Sequence, residues 1–437
     1  MAIQDLIFRA WFIWFATVLC YSPCGLAEED GFEALDALLE AQFQYTDDTL
    51  EADYQALDAA LKKAHQRFRN EIEGVWGEGE VVLPGKSAWV DYSLNRKLRR
   101  SFDFEKGFVQ IERIFKEDSE LDSVTREIQA AIHAAAVDTG ADLSSKDTLW
   151  QYASQDLHNR AVTIENPVDT SQRPVMADLL DIPESAVVLN VLKNATKPMQ
   201  QSFGLSPQQE NPAVQTSSDT DKQAHRPEMT AMVIAMANDQ KKIMVTIPMR
   251  QNYLSSAAAA YQPKVLIEAA RQSLPPSLLY AIMETESHFN PRARSHIPAF
   301  GLMQLVPASG GVDAYQHLYG EKLVLGPDYF YNADQNVELG AAYLNLLNTR
   351  YLKRIRNSLS RIYCVIAAYN TGPGNVARAF VDSKSVLVAA EKINKLTPEA
   401  VFEQLVQRLP YKETRHYLQK VISAQKKYQE MDQLVRL

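Results

Sequence analysis

The chain predicts an α+β N-terminal domain followed by an all-α domain, and three observations carry that fold class. Between Glu80 and Ile114, short apolar runs alternate with polar residues and are punctuated by Pro84-Gly85 and Glu105-Lys106-Gly107. A second pair of such runs, Met232–Met236 and Ile243–Met249, turns at Asn238-Asp239-Gln240-Lys241. From Ser255 onward the period changes, and apolar residues recur every three or four positions, as in helices.

Length and composition set the frame. A chain of 437 residues is long enough for two or more domains with their own cores. Hydrophobic content of 46% and charged content of 23% are those of an ordinary globular protein. The net charge of -9 argues against nucleic acid as a partner, since that needs basic patches. It also gives no electrostatic attraction to anionic lipid.

The first 27 residues have the pattern of an export signal. Arg9 precedes the apolar run Ala10–Leu19, which is too short to span a bilayer comfortably, and Gly25-Leu26-Ala27 offers small residues for cleavage before Glu28. The mature protein is therefore expected to begin at Glu28 and to be periplasmic. Cys20 and Cys24 fall inside the signal, so Cys364 is the one thiol left, with no disulfide and no metal cluster expected. Its neighbours Ile362-Tyr363 and Val365-Ile366 suit a buried, inert thiol. Cys24 as a lipid-attachment site of an outer-membrane lipoprotein is the alternative, and Tyr21-Ser22-Pro23 before it fits that processing poorly.

Phe32 to Ile72 predicts helix, with Leu57, Leu61, Phe68 and Ile72 on one apolar face and a break at Thr46-Asp47-Asp48-Thr49. Strands are expected at Glu80–Leu83, Ala88–Tyr92, Ser101–Phe104 and Phe108–Ile114, the last two forming a hairpin. Leu121–Val137 is helical. From about Asn194 to Glu228 periodicity is lost among Gln, Ser, Thr, Pro and Asp, as in a mobile loop. The domain boundary is placed near Asn252, giving an N-terminal domain over 28–253 and a helical domain over 254–437.

In the helical domain, Pro275-Pro276 opens a helix that Asn290-Pro291 closes. Leu278, Leu279, Ile282 and Met283 fill one arc of it, and Glu286 falls in the middle of that arc, while Glu284 points to the opposite, solvated side. A carboxyl held among apolar neighbours has its charged form disfavoured, so its pKa rises toward neutrality, the condition for a general acid. Taken alone, a Glu at such a position is more often paired or partly exposed. Further along, Asp334 is expected to cap a helix Val337–Leu352, and Tyr411–Tyr428 forms the last helix.

Four ordered blocks change the weight of Glu286. They are Glu286-Ser287-His288-Phe289-Asn290-Pro291 with Ser295, then Gly301-Leu302-Met303-Gln304, then Ala367–Gly374, then Leu409–Tyr417. Together they resemble the soluble-lytic-transglycosylase catalytic domain, a lysozyme-like helical fold that cleaves the glycan strands of peptidoglycan. Val75-Trp76-Gly77 and Lys242–Met249 make the first half similar to the N-terminal domain of the transglycosylase C family. The resemblance implies Glu286 as the single acid and base, acting between N-acetylmuramic acid and N-acetylglucosamine and closing a 1,6-anhydro ring without water. It implies substrate-binding roles for Ser295, Met303, Gln304, Tyr369 and Asn370, and a supporting role for Glu413. No metal or other cofactor is expected. Peptidoglycan strands are the expected partner; peripheral outer-membrane association and complexes with other cell-wall enzymes accompany the family.

Each residue also has a plainer use: Met303 as packing, Tyr369 as a half-buried core tyrosine, Asn370-Thr371-Gly372-Pro373-Gly374 as a tight turn. The turn's glycines lack the strand and Lys-Ser/Thr pair of a phosphate loop. A hydrolytic muramidase and a non-catalytic peptidoglycan-binding protein stand as alternatives. The first is disfavoured because the first acidic residue after Glu286 is Asp313, which nothing marks as a second carboxylate. Pro298 and Asn332-Ala333 depart from the family pattern and bear on substrate preference.

Overall fold

A computed structural model describes residues 29–158, 164–165, 173–196, 228–236, 239–295 and 298–434. The expected signal segment with Cys20 and Cys24, and most of the 194–228 segment, lie outside the described residues. The chain divides into two compact units, Met1–Thr49 and Leu50–Leu437.

A helix over Glu29–Trp76 runs without interruption, so the expected break at Thr46–Thr49 is absent. Thr and Asp are weak helix formers, but each costs only a few tenths of a kcal/mol beside Ala, Leu and Glu neighbours. In the second unit, Leu57, Ala60, Leu61, Ala64, Phe68, Ile72 and Trp76 form its buried face. That stripe covers a five-stranded antiparallel sheet of β1 (Ala88–Ser93), β2 (Leu98–Asp103), β3 (Phe108–Phe115), β5 (Thr230–Ala235) and β6 (Lys241–Pro248). The spatial order is β1-β2-β3-β6-β5. The two-residue β4 (Ile164–Glu165) pairs in parallel with β7 (Val324–Leu325), so the helical half contains one short strand.

Glu80–Leu83 is extended but forms no strand. The Tyr92 hydroxyl donates to the Val82 carbonyl (2.8 Å) and accepts from its N–H (3.3 Å), replacing the ladder partner a strand would need. The hairpin between β2 and β3 turns at Gly107 in the left-handed region, φ 71°. Cross-strand charge pairs are buried in this sheet. Arg99 sits opposite Glu112 and Arg100 opposite Asp91, with closest N–O distances of 2.6 and 2.5 Å. Lys242 adds a second cation 3.2 Å from Glu112.

The segment Ser185–Thr196 is helical, carrying the helix through Asn194, where loop was expected. Beyond Tyr253 the chain is almost wholly helical. The helix expected at Val337–Leu352 begins earlier, at Ala333, and ends in a wider turn over Leu347–Tyr351. Its cap is the Asn332 side chain, which accepts from the Gln335 N–H at 3.1 Å, rather than Asp334. Asn332 occupies the extended position just before the helix, where a side-chain acceptor reaches the free amides; Asp334 is already inside the first turn.

The two halves of Leu50–Leu437 share a buried ionic seam. Arg294 lies 2.8 Å from Asp147, and Arg292 lies 3.4 Å from the same carboxylate. Arg292 also donates to the Ser144 hydroxyl (2.8 Å), which in turn donates to Asp328 (2.9 Å). All five side chains are buried.

Candidate active site

The helix Pro276–Ser287 occupies the centre of the helical half. Pro275 is extended, Pro276 takes the first helical position, and the Asp432 carboxylate accepts the Ser277 N–H at 2.8 Å. An acidic group at that end satisfies a free amide and opposes the helix dipole favourably. The helix ends earlier than Pro291 requires. His288 and Phe289 both adopt left-handed conformations, φ 51° and 62°, reversing the chain before the proline is reached.

Leu278, Leu279, Tyr280, Ala281, Ile282 and Met283 are all fully buried, so the helix has no solvated face there. Glu284 is only 12% exposed, against the expected outward position. The closing helix Lys412–Lys427 wraps this side, pairing Glu284 with Lys427, and the Tyr428 hydroxyl donates to it at 2.7 Å. Glu284 is thus neutralised by close partners. Glu286 is not.

Glu286 is 6% exposed. Burial pushes its pKa up to about 7, the largest influence by order, and the Lys86 ammonium, the Tyr417 hydroxyl and the Glu413 charge then pull it down, down and up in turn. Lys86 Nζ lies 3.8 Å from the Glu286 carboxylate and 3.9 Å from that of Glu413. Those are ion-pair separations without hydrogen-bond contact. The Tyr417 hydroxyl faces Glu286 closely enough to act on its charge, but its geometry makes no well-formed hydrogen bond. Half-buried Tyr369 approaches from the helix Ser358–Thr371, its phenol pushed well above the ordinary range by burial first and the Glu286 charge second. The outcome is a carboxyl able to hold and release a proton near neutral pH.

The other expected residues have varied commitments. Tyr369 donates its hydroxyl to the Met303 carbonyl at 2.8 Å, and its ring tilts against Tyr343. Met303 is fully buried: its N–H donates to Asn336 Oδ1 at 2.7 Å, and its sulfur fills the space where Gly340 lacks a side chain. Gln304 sits in the left-handed region, φ 49°, with Nε2 donating to the Ala293 and Gly301 carbonyls at 3.1 Å. Its buried Oε1 has no hydrogen-bond partner among the described residues, which leaves an uncommitted acceptor. Ser295 closes a local turn, its hydroxyl oxygen accepting from the Ala299 N–H at 3.2 Å. Asn370 accepts from the Thr414 hydroxyl at 2.7 Å, tying two helices together. Glu413 stands at the start of the closing helix with its side chain 77% exposed. Asp313 is engaged elsewhere, accepting from the Tyr351 hydroxyl at 3.0 Å.

Several residues that matter were not legible in the sequence. Ser287 donates to the Leu302 carbonyl at 2.8 Å and so fixes the Glu286 helix to the Gly301–Gln304 turn. Asn336 holds that turn from both sides, also donating to the Phe300 carbonyl at 3.0 Å. Gly301, φ 75°, is the residue that this turn requires, since a side chain would strike the Phe330 carbonyl and Asn336. Tyr417 lay within a motif block without a role of its own. Lys86 comes from the other half of the molecule, some 200 positions away, and only the fold reveals it.

Cys364 is fully buried and free, its thiol pushed far up by burial. Among the described residues no group of His, Cys, Asp and Glu is arranged to hold a metal. None of their helices is long and apolar enough to cross a membrane. A cavity of about 410 Å³ bounded by Arg173, Tyr261, Phe289 and Asp334 does not include Glu286. The site is marked by its chemistry, not by the size of its hollow.

Comparison with known proteins matches both halves. Residues 265–389 match the Transglycosylase SLT domain, and residues 52–176 match the membrane-bound lytic murein transglycosylase C N-terminal domain. The membrane-bound lytic murein transglycosylase C of Histophilus somni is 30% identical over 362 residues, covering 83% of this chain and 86% of its own. That of Pectobacterium atrosepticum is 31% identical over 373 residues, covering 83% and 88%. A solved structure of lytic transglycosylase Slt from Pseudomonas aeruginosa is 26% identical with a TM-score of 0.31, covering 41% of this chain and 27% of that one. With both halves matched in order and identity sustained over most of the length, this chain belongs to the membrane-bound lytic murein transglycosylase C family.

Proposed function

We propose that this protein cleaves the β-1,4 bond between N-acetylmuramic acid and N-acetylglucosamine in peptidoglycan, with Glu286 as its one acid and base. The observation that carries this is a carboxyl only 6% exposed, pushed up to about 7 by burial, whose one ion-pair partner among the described residues is Lys86 at 3.8 Å. Protonated Glu286 gives its proton to the glycosidic oxygen as the bond to C1 breaks. The muramic N-acetyl oxygen closes onto C1, since the protein supplies no nucleophile there. The resulting Glu286 carboxylate takes the proton of the C6 hydroxyl, whose oxygen then attacks C1 and releases the N-acetyl group. The product ends in a 1,6-anhydro ring, water is not consumed, and Glu286 returns to its starting form. In this scheme Gln304 Oε1 is free to accept from a substrate N–H or O–H, and Ser295, Met303, Tyr369 and Asn370 shape the surrounding wall.

One observation favours a second reading. Lys86 bridges Glu286 and Glu413, so the nearest oxygens of the two carboxylates are at most about 8 Å apart, below the upper limit at which an inverting hydrolase holds water between its carboxyls. Mass spectra of products from purified sacculi separate the two. Anhydro ends are expected; mainly reducing ends, heavier by one water, would make Glu413 a base and the protein a muramidase.

The proposed division is a signal peptide over 1–27, an N-terminal domain over 28–253 and a catalytic domain over 254–437. Cleavage after Ala27 would release the protein into the periplasm, where its substrate lies. The relatives' name describes membrane attachment, which a lipid on Cys24 or Cys20 would supply. The N-terminal peptide of protein isolated from its own envelope decides: Glu28 as first residue is expected, and an acylated cysteine would overturn it.

A further inference from the structure

We propose that Lys86 is a positioning residue of the cleavage reaction, delivered from the N-terminal half so that its ammonium stands beside Glu286 when the catalytic proton leaves. This rests on Glu286 being the acid.

The loop 84–87 is built for that placement. The Gly85 N–H donates to the Ala88 carbonyl (2.8 Å), and the Ser87 carbonyl accepts from Phe104 N–H (2.8 Å), fixing both flanks to the sheet. On the other side the Gly85 carbonyl accepts from the Arg294 N–H at 3.2 Å, and the Lys86 carbonyl accepts from Asn290 Nδ2 at 3.2 Å. Both donors belong to the turn directly after the catalytic helix. The backbone is thereby pinned to the segment that carries the acid, while the Lys86 side chain, 43% exposed, reaches over to Glu286 and Glu413.

Proton donation converts a neutral buried carboxyl into an anion, the form that burial disfavours. A cation at 3.8 Å lowers the cost of that conversion without neutralising the carboxyl beforehand, because no hydrogen bond is made. Glu413 competes for the same ammonium at 3.9 Å and limits its pull. Four groups set the charge seen by Glu286: Lys86 from the loop, Glu413 and Tyr417 from the closing helix, and Tyr369 from the helix Ser358–Thr371. Elsewhere on the packed helices Lys264 pairs with Glu268 and Lys427 with Glu284, Asp432 caps Ser277, and His288 at the end of the Glu286 helix has its pKa lowered by burial.

The test is the pH dependence of cleavage by the full chain, followed as soluble products released from purified sacculi, with KM and kcat taken on soluble glycan oligomers. Rate falls as pH rises through the pKa of the acid. Lys86→Met should lower kcat about tenfold or more and move that falling limb upward by about one pH unit, since an opposite charge at this range shifts a carboxyl by that order. Lys86→Arg should restore most of both. Glu413→Gln should move the limb the other way, to lower pH, because it removes a negative charge and frees the ammonium. A rise in KM with kcat and the limb unchanged would make Lys86 a binder of substrate anions and overturn the proposal. Should Lys86→Met fail to fold, Glu413→Gln alone decides, and an unmoved limb overturns it. Glu286→Gln separates this from the assignment beneath: if it stays active, the acid itself is wrong; if it is inactive while Lys86 and Glu413 variants leave the limb in place, only the role of Lys86 falls.

Discussion

Two buried glutamates, Glu112 in the sheet and Glu286 in the helical half, face opposite fates. Glu112 is 2% exposed with Arg99 at 2.6 Å and Lys242 at 3.2 Å. Glu286 is 6% exposed, and its nearest cation stands at 3.8 Å on a half-exposed side chain. Equal burial therefore yields unequal chemistry. A carboxylate held between close cations has its partners already in place and serves the fold. One left short of partners becomes a group that can trade protons, at a cost in stability.

The largest effect expected from breaking this contrast is on rate. Glu286→Gln keeps the shape and removes the transferable proton, so cleavage of sacculi should fall by on the order of 10²–10⁴ with the fold intact. Activity within a few-fold of wild type would remove Glu286 from its role. The same substitution tests the cost. Because folding raises this pKa from 4.5 to about 7, the contribution of Glu286 to stability is fully present below pH 4.5 and lost as pH rises through about 7. Urea unfolding at about pH 5 and about pH 8 should show the wild type losing on the order of 3 kcal/mol relative to Glu286→Gln.

At Glu112 the signs reverse. Glu112→Gln removes the buried counter-charge of Arg99 and Lys242 and leaves them only the part-exposed Glu80, at 3.7 and 2.7 Å, so it should cost about 3 kcal/mol of stability, the lower end for a broken buried pair. Its effect on activity per folded molecule should be small. A stable variant with low activity would mean that the sheet's charges reach the site.

Tyr369→Phe lies between these cases. It removes a 2.8 Å hydrogen bond to the Met303 carbonyl, which should cost about 1 kcal/mol. A fall in kcat beyond what altered folding explains would give the hydroxyl a part in the chemistry. A change confined to stability would make Tyr369 a brace for the Gly301–Gln304 turn.

The same contrast explains what the sequence could show. Helical periodicity located the segment bearing Glu286, because period depends only on neighbours along the chain. The strands expected at Ala88–Tyr92, Phe108–Ile114, Met232–Met236 and Ile243–Met249 were legible for the same reason, although Lys241, expected in the turn, begins the last of them. Other features depend on partners far away in the chain. The Glu80–Leu83 run has a strand's composition, yet Tyr92 supplies its hydrogen bonds. Glu284 faces solvent by period, yet Lys427 and Tyr428 cover it. Met303 stands in a motif expected to line the cleft, and the structure sinks its side chain against Gly340. Lys86 occupies an ordinary turn, and nothing about Pro84-Gly85-Lys86-Ser87 announces a destination near Glu286.

The seam of Arg292 and Arg294 with Asp147 limits how this enzyme can be recombined. A chimera that exchanged the helical half alone would carry both guanidiniums into a new setting and leave Asp147 and Ser144 behind. Unless the recipient scaffold offered an acid at the matching place, Arg294 would be interred without its ion pair and Arg292 left only Asp328, at 4.0 Å, a few residues from the Glu286 helix. The border drawn by sequence families is thus not a cutting line.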